Sequence, residues 1–455
     1  MTSTPSPVLL RYAGLEVPRY TSYPTAPRFT EAVGDTRYRA WLADLRADEP
    51  LSLYLHIPWC RELCWYCGCH TSVARDNARI ESYVDDLLAE IDLVAGAMPA
   101  RMPVAHIHFG GGTPTLLSPD LFLCIMERLN ARFDVAPDAE IAVEGDPRTL
   151  TQPLVDALAA GGVTRVSLGV QELSPRVQTA INRVQPLETV EAAVAMLRGS
   201  GIGALNIDLM YGLPHQSVTD VRATALAVSS LAPDRVSVFG YAHVPWFKKH
   251  QRMIDDAALP QLADRWAQAE AAAEVLTERG GLVEIGIDHF ARAHDPLARL
   301  RHEGRLKRNF QGYTADTAST LIGFGVSSIG ALPTAFVQNA REIRPWREAI
   351  GERRLPVVRG VELTADDRLR AAVIERIMCD FAADVGAVCA AQGFAPETLD
   401  PEIAKLGPLV EDGLAVVDGR TVRVPQEARR LARVVAAGFD AYWQPSPAPR
   451  HSVAV

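Results

Sequence analysis

The sequence lacks any apolar run fit to cross a membrane. Its one long uncharged stretch, Thr317 to Ala340, is broken by glycine, serine, threonine and Pro333, and reads as strand and loop. It also lacks a cationic surplus: 46 Lys and Arg stand against 55 Asp and Glu, a net charge of -9. That argues against nucleic acid or an anionic membrane as the main partner, while leaving room for a local basic pocket. The start, Met1 to Pro7, has no charged segment followed by an apolar core, so no secretory signal is expected. The seven cysteines, an odd and clustered set, do not look like a disulfide framework. A reduced, cytoplasmic setting suits them better.

Four of those cysteines fall within ten residues, in Cys60-Arg-Glu-Leu-Cys64-Trp-Tyr-Cys67-Gly-Cys69. They follow an apolar run, Leu51–Ile57, that reads as a buried strand ended by Pro58-Trp59. The chemistry therefore sits on a loop at the C-terminal end of a strand, where α/β barrels put their active sites. From Leu51 the chain alternates strands with helices. The strands are Leu51–Ile57, Val104–Phe109, Glu140–Val143, Arg165–Val170, Leu205–Met210 and Arg235–Tyr241. The helices include Ile80–Ala95, Pro119–Arg132, Gln152–Ala160, Leu187–Ser200 and Ser217–Leu231. Six βα units predict an α/β fold: a partial, TIM-like (β/α)6 barrel with a parallel sheet. The runs Leu282–Ile287 and Leu321–Ile329 are expected to extend its edge.

Residues 1–45 read as an N-terminal arm that is extended around Pro18–Ala26, residues 46–345 as the barrel with its extension, and residues 346–455 as a mainly helical C-terminal domain. In the last, Thr364 and Asp367 open a helix through Cys379. The segment Leu406–Val410, a hairpin turning at Asp418-Gly419 and a final helix from Gln426 follow, a winged-helix-like order. The acidic balance favours a lid or packing role over DNA binding. The tail after Pro445 reads as disordered.

The spacing C-x-x-x-C-x-x-C offers three thiolates, and no second cysteine pair supplies the four ligands of a structural zinc site. Three thiolates can hold a cluster of four irons with one iron left for a non-protein ligand. Cys69 is either a small buried residue or a proton or hydrogen-atom relay. Phe109-Gly-Gly-Gly-Thr-Pro-Thr115 follows the second strand, and its bare backbone allows close approach of a ligand.

Taken with Arg19–Ala26, Tyr54–Cys69, Gly110–Pro114, Val166–Gln171, Asn206–Pro214, Tyr241–Pro245, Asp288–Ala291 and Arg308–Tyr313, these motifs resemble the radical S-adenosylmethionine (SAM) superfamily. Within it, the chain resembles the oxygen-independent coproporphyrinogen III oxidases, or coproporphyrinogen dehydrogenases, of heme and porphyrin biosynthesis. The resemblance runs from Pro18 to about Tyr442. It implies that Cys60, Cys64 and Cys67 hold a [4Fe–4S] cluster. It implies a first SAM at Tyr54, Gly111 and Glu144. A second SAM would touch Tyr66, Gly112, Thr113, Gln171, Arg183, Asp208, Ala242 and Ile329. The reaction it implies is radical abstraction of a propionate β-hydrogen, loss of CO₂ and formation of a vinyl group, twice per coproporphyrinogen III. Cys69 and Tyr20 are then candidate catalytic residues, and Arg19 and Arg308 are candidate partners for the substrate's carboxylates. An electron donor such as flavodoxin or ferredoxin, an electron acceptor and a monomeric enzyme are expected. Each residue also has a plain reading. Glu144 and Asp208 suit helix caps, Gln171 a loop bond, Arg183 a surface helix, and Tyr54, Tyr66, His56 and His243 a packed core. The competing functions on this scaffold are a heme chaperone and a HemN-like methyltransferase. The arm and Cys69 favour the oxidase. The segment Trp246-Phe-Lys-Lys-His250 departs from the family pattern.

Overall fold

A computed structural model of the chain describes residues 5–444 and Ala454. The first four residues and, Ala454 apart, the tail expected to be disordered after Pro445 lie outside the described residues. Six parallel strands stand side by side in chain order: β1 (Leu51–Ile57), β2 (Pro103–Gly111), β3 (Asp134–Gly145), β4 (Arg165–Gln171), β5 (Ala204–Tyr211) and β6 (Arg235–Gly240). The connecting helices α1 (Asn77–Ala95), α2 (Pro119–Arg132), α3 (Gln152–Ala160), α4 (Leu187–Gly199) and α5 (Val218–Ser230) cover one face. The local causes are plain. Asp76 caps α1 on the Ala78 N–H. Ser118 caps α2 with Pro119 in the first turn. Ser217 and Asp220 form a reciprocal capping box on α5. Strand β1 is buried along almost its whole length, as a parallel strand covered on both faces must be.

Both expected edge runs join the sheet, but not as written. Val283–Ile285 (β7) and His289–Ala291 (β8) pair as an antiparallel edge beside β6. The run Leu321–Ile329 is not one strand. It splits into β9 (Thr320–Phe324), which is parallel to β1, and β10 (Ile329–Leu332). The break is fixed at Gly325, whose φ is +88° and where a Cβ would stand 2.4 Å from the Tyr83 hydroxyl. The turn is held by Glu90 of α1, which accepts from Gly325 N (2.7 Å), Asn339 Nδ2 (2.6 Å) and Trp346 Nε1 (3.1 Å). Burial lifts its carboxyl to about 7. Ala335–Asn339 (β11) and Val357–Glu362 (β12) complete an open sheet of twelve strands. The sheet therefore runs past residue 345, where the C-terminal unit was expected to begin.

Two other expectations are corrected. The arm is extended through Pro18–Thr25 but carries helices at Pro7–Ala13 and Asp35–Ala43, the first capped by Ser6 with Pro7 in its first turn. The segment from Gln426 begins as a 3₁₀ turn, Gln426–Leu431, and only Ala432–Ala436 is α-helical. The remaining C-terminal order stands: a helix Ala365–Asp380 opened by the Thr364/Asp367 capping box, then a three-stranded sheet of Ala382–Asp384, Thr421–Arg423 and Val416–Asp418. One continuous apolar core links arm, barrel and C-terminal region, from Ala13 and Val17 through Leu55 and Phe109 to Phe439.

Candidate active site

The cysteine loop closes on itself. Trp59–Cys60 pairs in parallel with Ser72–Val73, so residues 61–71 form a compact excursion from the end of β1. Neighbours tie it down on two sides. Trp65 N donates to Ile181 O (3.0 Å) and Asn182 Nδ2 to Leu63 O (3.0 Å). From the loop after β6, Gln251 Nε2 donates to Tyr66 O (2.9 Å), His250 Nε2 to Cys67 O (2.7 Å) and Lys248 Nζ to Cys69 O (2.8 Å). The thiols of Cys60, Cys64, Cys67 and Cys69 line a cavity of about 970 Å³ at the C-terminal ends of the strands. Thr113 Oγ1 donates to Cys60 Sγ (3.3 Å), and Arg183 Nη1 to Cys64 Sγ (3.4 Å). Burial pushes the Cys60 thiol up, whereas the Cys69 thiol beside it brings Cys67 down to about 7. Three thiols on one closed loop, with a hydroxyl and a guanidinium aimed at two sulfurs and open space beyond, are a donor set that fits a cubane cluster with one iron left open.

The glycine run ends β2 and packs under this loop. Gly112 N donates to Ile57 O (2.8 Å) and Thr113 N to Trp59 O (2.8 Å). Gly111 has φ +113°, and a Cβ there would lie 2.5 Å from His56 Cε1, so only glycine fits. His56 is neutral and of fixed tautomer. Its Nε2–H donates to His70 O (2.8 Å), its Nδ1 accepts from the Tyr54 hydroxyl (3.0 Å), and burial lowers its pKa to about 4. Tyr54 stacks on His108, with ring centroids 5.9 Å apart, and thus supports the glycine run from beneath rather than lining the cavity.

Two acids face the cavity in opposite electrostatic settings. Burial favours a neutral Glu144, but His108 Nε2 (3.1 Å) and the Gly111 N–H (3.0 Å) donate to it and win, so its pKa falls. Asp208 accepts from Asn206 Nδ2 (2.8 Å) and Ser167 Oγ (3.1 Å), yet burial and then the Glu144 charge push its pKa up. Neither caps a helix. Arg183 is no surface residue either: it is buried, bonded to Asp146 Oδ2 (3.0 Å) and Gly169 O, and Arg148 Nε donates to Asp146 Oδ1 (3.0 Å). Tyr66, Gln171 (φ +70°) and Ala242 line the same cavity. Ile329 does not. It lies on β10, paired with Gln338 two strands away from β1.

The arm reaches the cavity through Arg19, whose Nη2 lies 3.5 Å from Gly240 O. Tyr20 turns the other way, with φ +48°, and donates its hydroxyl to Asp440 (3.0 Å), pinning the arm to the C-terminal segment. Arg308 is buried behind the cavity wall. Its guanidinium stands 3.8 Å from Asp288 and 4.5 Å over the Tyr313 ring, and its Nε and Nη1 have no hydrogen-bond partner among the described residues. Arg433 and Arg265, neither signalled by any motif, join this group. Burial, then Arg19 and Arg308, push Arg433 down to about 9. Burial, then Arg19 among the cations, also lowers Arg265. Asp288 falls to about 2: burial opposes its charge, but His289, Arg308 and Arg19 overcome it. A guanidinium keeps its proton at neutral pH. Arg19, Arg265, Arg308 and Arg433 thus gather positive charge in the neighbourhood of Asp288.

Comparison with known proteins places this geometry. The sequence pattern of the Radical SAM superfamily matches residues 54–228. The chain is 51% identical over 434 residues to the oxygen-independent coproporphyrinogen III oxidase of Bradyrhizobium diazoefficiens, covering 95% of this chain and 96% of that protein. It is 39% identical to the enzyme of that name from Escherichia coli, with 93% of each covered. The solved structure of the coproporphyrinogen III oxidase HemN from Escherichia coli superposes with a TM-score of 0.88 at 37% identity, covering 94% of this chain and 100% of that one.

Proposed function

The chain belongs to the radical SAM superfamily and, within it, to the oxygen-independent coproporphyrinogen III oxidases, and from that membership we propose how its cavity divides the work. The enzyme is an oxidoreductase of porphyrin biosynthesis that converts coproporphyrinogen III to protoporphyrinogen IX by oxidative decarboxylation. When bound, the [4Fe–4S] cluster and SAM supply a 5′-deoxyadenosyl radical able to take a hydrogen atom from a propionate β-carbon.

The rest is done by side chains. Cys60, Cys64 and Cys67 hold the cluster, and Thr113 and Arg183 steady two of the sulfurs. Glu144, kept anionic, accepts from the ammonium of a SAM while Gly111 and Gly112 leave room for its approach. A second SAM takes the side of Tyr66, Gln171, Arg183, Asp208 and Ala242. Arg19, with Arg308, Arg433 and Arg265 behind it, draws the substrate's carboxylates and so orients a propionate toward the cluster end. Neutral His56 puts no positive charge beneath Gly111. Cys69 stands beside Cys67, where it can hold a proton. Tyr20 acts as a positioning residue for the arm. We assign the enzyme to the cytoplasm as a monomer. No helix among the described residues is long and apolar enough to cross a membrane, and all seven cysteines are free.

The observation that carries this reading is one cavity shared by the cysteine loop, Glu144, the glycine run and Arg19. The test is anaerobic. The reconstituted protein receives SAM, dithionite and coproporphyrinogen III, and the products are oxidised and separated. Protoporphyrin is the expected product. SAM cleavage without a vinyl product refutes the reading.

A further inference from the structure

The segment 246–253, Trp-Phe-Lys-Lys-His-Gln-Arg-Met, has two faces. Lys248, His250 and Gln251 point inward and bind the carbonyls of Cys69, Cys67 and Tyr66. The outward face is apolar and basic, and Phe247 on it also lines the cavity. Trp246 is 51% exposed, Phe247 60% and Met253 60%, and Lys249 and Arg252 are exposed beside them. Arg341, from the turn after β11, extends the patch, its guanidinium 5.7 Å from the Phe247 ring centroid. In a chain of net charge -9, residues 241–254 contain no Asp or Glu. Acids border the patch rather than fill it. Asp256 is engaged by His243 Nε2 (2.7 Å), while Asp255 follows the segment and Glu342 follows Arg341 in the chain. Exposed tryptophan and phenylalanine among cations form a contact surface of the kind that binds protein partners, because the aromatics supply burial and the charges supply steering.

We propose that this outward face is the docking surface for a small acidic redox protein that delivers electrons to the cysteine loop. The inference rests on the assignment of Cys60, Cys64 and Cys67 as cluster ligands. The charges are complementary, and the position is apt: the same eight residues that meet the partner hold the backbone of Tyr66, Cys67 and Cys69. The step is simple. One electron leaves the reduced carrier and enters the oxidised cluster, no covalent bond changes, and the carrier departs oxidised by one electron.

The probe is flavodoxin. Its affinity for the intact protein is measured by titration at low and high ionic strength, and the rate it supports is compared with that given by dithionite. The double variant Lys249→Glu/Arg252→Glu should bind flavodoxin at least tenfold more weakly at low salt and lose most of the salt dependence. Its turnover with dithionite should match the parent's. Trp246→Ser should weaken binding at both salt concentrations, and Lys249→Gln/Arg252→Gln should fall between parent and double variant. Unchanged affinity in the charge-reversed protein, or a parent that does not bind flavodoxin, overturns the proposal. So does a raised KM for coproporphyrinogen III under dithionite, which would make the patch a guide for the tetracarboxylate instead. A parent that binds flavodoxin yet yields no protoporphyrin with dithionite fails the functional reading and leaves the docking surface standing.

Discussion

At the cysteine end of the cavity, the active groups come from residues 60–183 and stand at the ends of adjacent strands β1 to β4. At the arginine end they come from residues 19, 265, 288, 308 and 433, spread over the arm, a helix at Leu262–Glu278, the edge hairpin of β7 and β8, a separate two-stranded hairpin of Lys307–Asn309 and Gly312–Thr314, and the C-terminal helix Ala432–Ala436. The first end is made of short hydrogen bonds to sulfur, carbonyl and carboxylate. The second gathers guanidiniums around Asp288. Geometry fixed by adjacent strands suits a cofactor that must sit in one place. A field of cations suits a large flexible polyanion, for which attraction matters more than a single contact.

The largest effect should come from breaking the first end alone. Cys64→Ser removes one of three ligands, and anaerobic reconstitution should then yield little cluster iron, no reduced-cluster EPR signal and no turnover. Coproporphyrinogen III binding, followed by fluorescence titration, should stay within a factor of two or so, because the arginines remain. Full iron content in the variant would sink the ligand assignment.

Breaking the second end should leave the first intact. Arg308→Met removes a buried guanidinium 3.8 Å from Asp288. A charge-assisted contact contributes about 1.5–3 kcal/mol, so the KM for coproporphyrinogen III should rise roughly 10- to 100-fold. Iron content and SAM cleavage by the reduced enzyme should not change. A variant with parental KM would remove Arg308 from substrate recognition.

This contrast also explains what could be read from the chain before folding. The cysteine end was legible because C-x-x-x-C-x-x-C, the glycine triplet and the strand-terminal Glu144 lie where their elements end, so local pattern predicts spatial place. Four of the five helices read from the sequence begin and end within a residue of the observed spans, since caps such as Ser118-Pro119 are local signals. Arg433 and Arg265 were not legible. Each sits in an ordinary helical stretch, and only tertiary packing carries it toward Arg19. Tyr20 parts from its motif neighbour: Arg19 faces the cavity, but a left-handed turn sends the tyrosine to Asp440. Ile329 followed from family position and lies on β10, outside the residues that line the cavity.

Acid should weaken the arginine end first. The Asp288 pKa is depressed to about 2, so its stabilising charge is fully present above the unfolded value and lost as pH falls through 2. The contribution is roughly 2 kcal/mol at pH 5, with about half of it gone by pH 3. The stability difference between parent and Asp288→Asn, from urea unfolding, should therefore shrink as pH drops from 5 to 3. A difference that stays constant would show that Asp288 is not held ionised by its cations.

The cysteine end can be probed more finely through Arg183, which donates to Cys64 Sγ at 3.4 Å. A cation at a ligand sulfur favours the reduced, more negative cluster. Arg183→Met should lower the midpoint potential by roughly 60 mV, the one-electron equivalent of about 1.4 kcal/mol. The titration is followed by EPR before SAM is added, so that any lost SAM contact does not enter. An unchanged potential would leave Arg183 to its ion pair with Asp146.

Tyr20 decides whether the arm belongs to the chemistry or to the enclosure. Its hydroxyl donates to Asp440 Oδ2 at 3.0 Å, while Oδ1 of the same carboxylate accepts from Tyr442 N (2.8 Å) and Trp443 N (3.0 Å). Tyr20→Phe keeps the buried ring and deletes one hydrogen bond, a loss of about 1 kcal/mol. Asp440 keeps two donors, so the C-terminal segment should hold its turn and only the arm should loosen. Hydrogen exchange should quicken across residues 18–24, and the KM for coproporphyrinogen III should rise a few-fold, because Arg19 is held less firmly. Iron content, the midpoint potential and SAM cleavage should match the parent, since nothing at the cysteine end touches this bond. A collapse of kcat by orders of magnitude with exchange unchanged would mean that Tyr20 meets the reacting atoms in the working enzyme. The division between a geometric cofactor end and an electrostatic substrate end would then have to be redrawn around the arm.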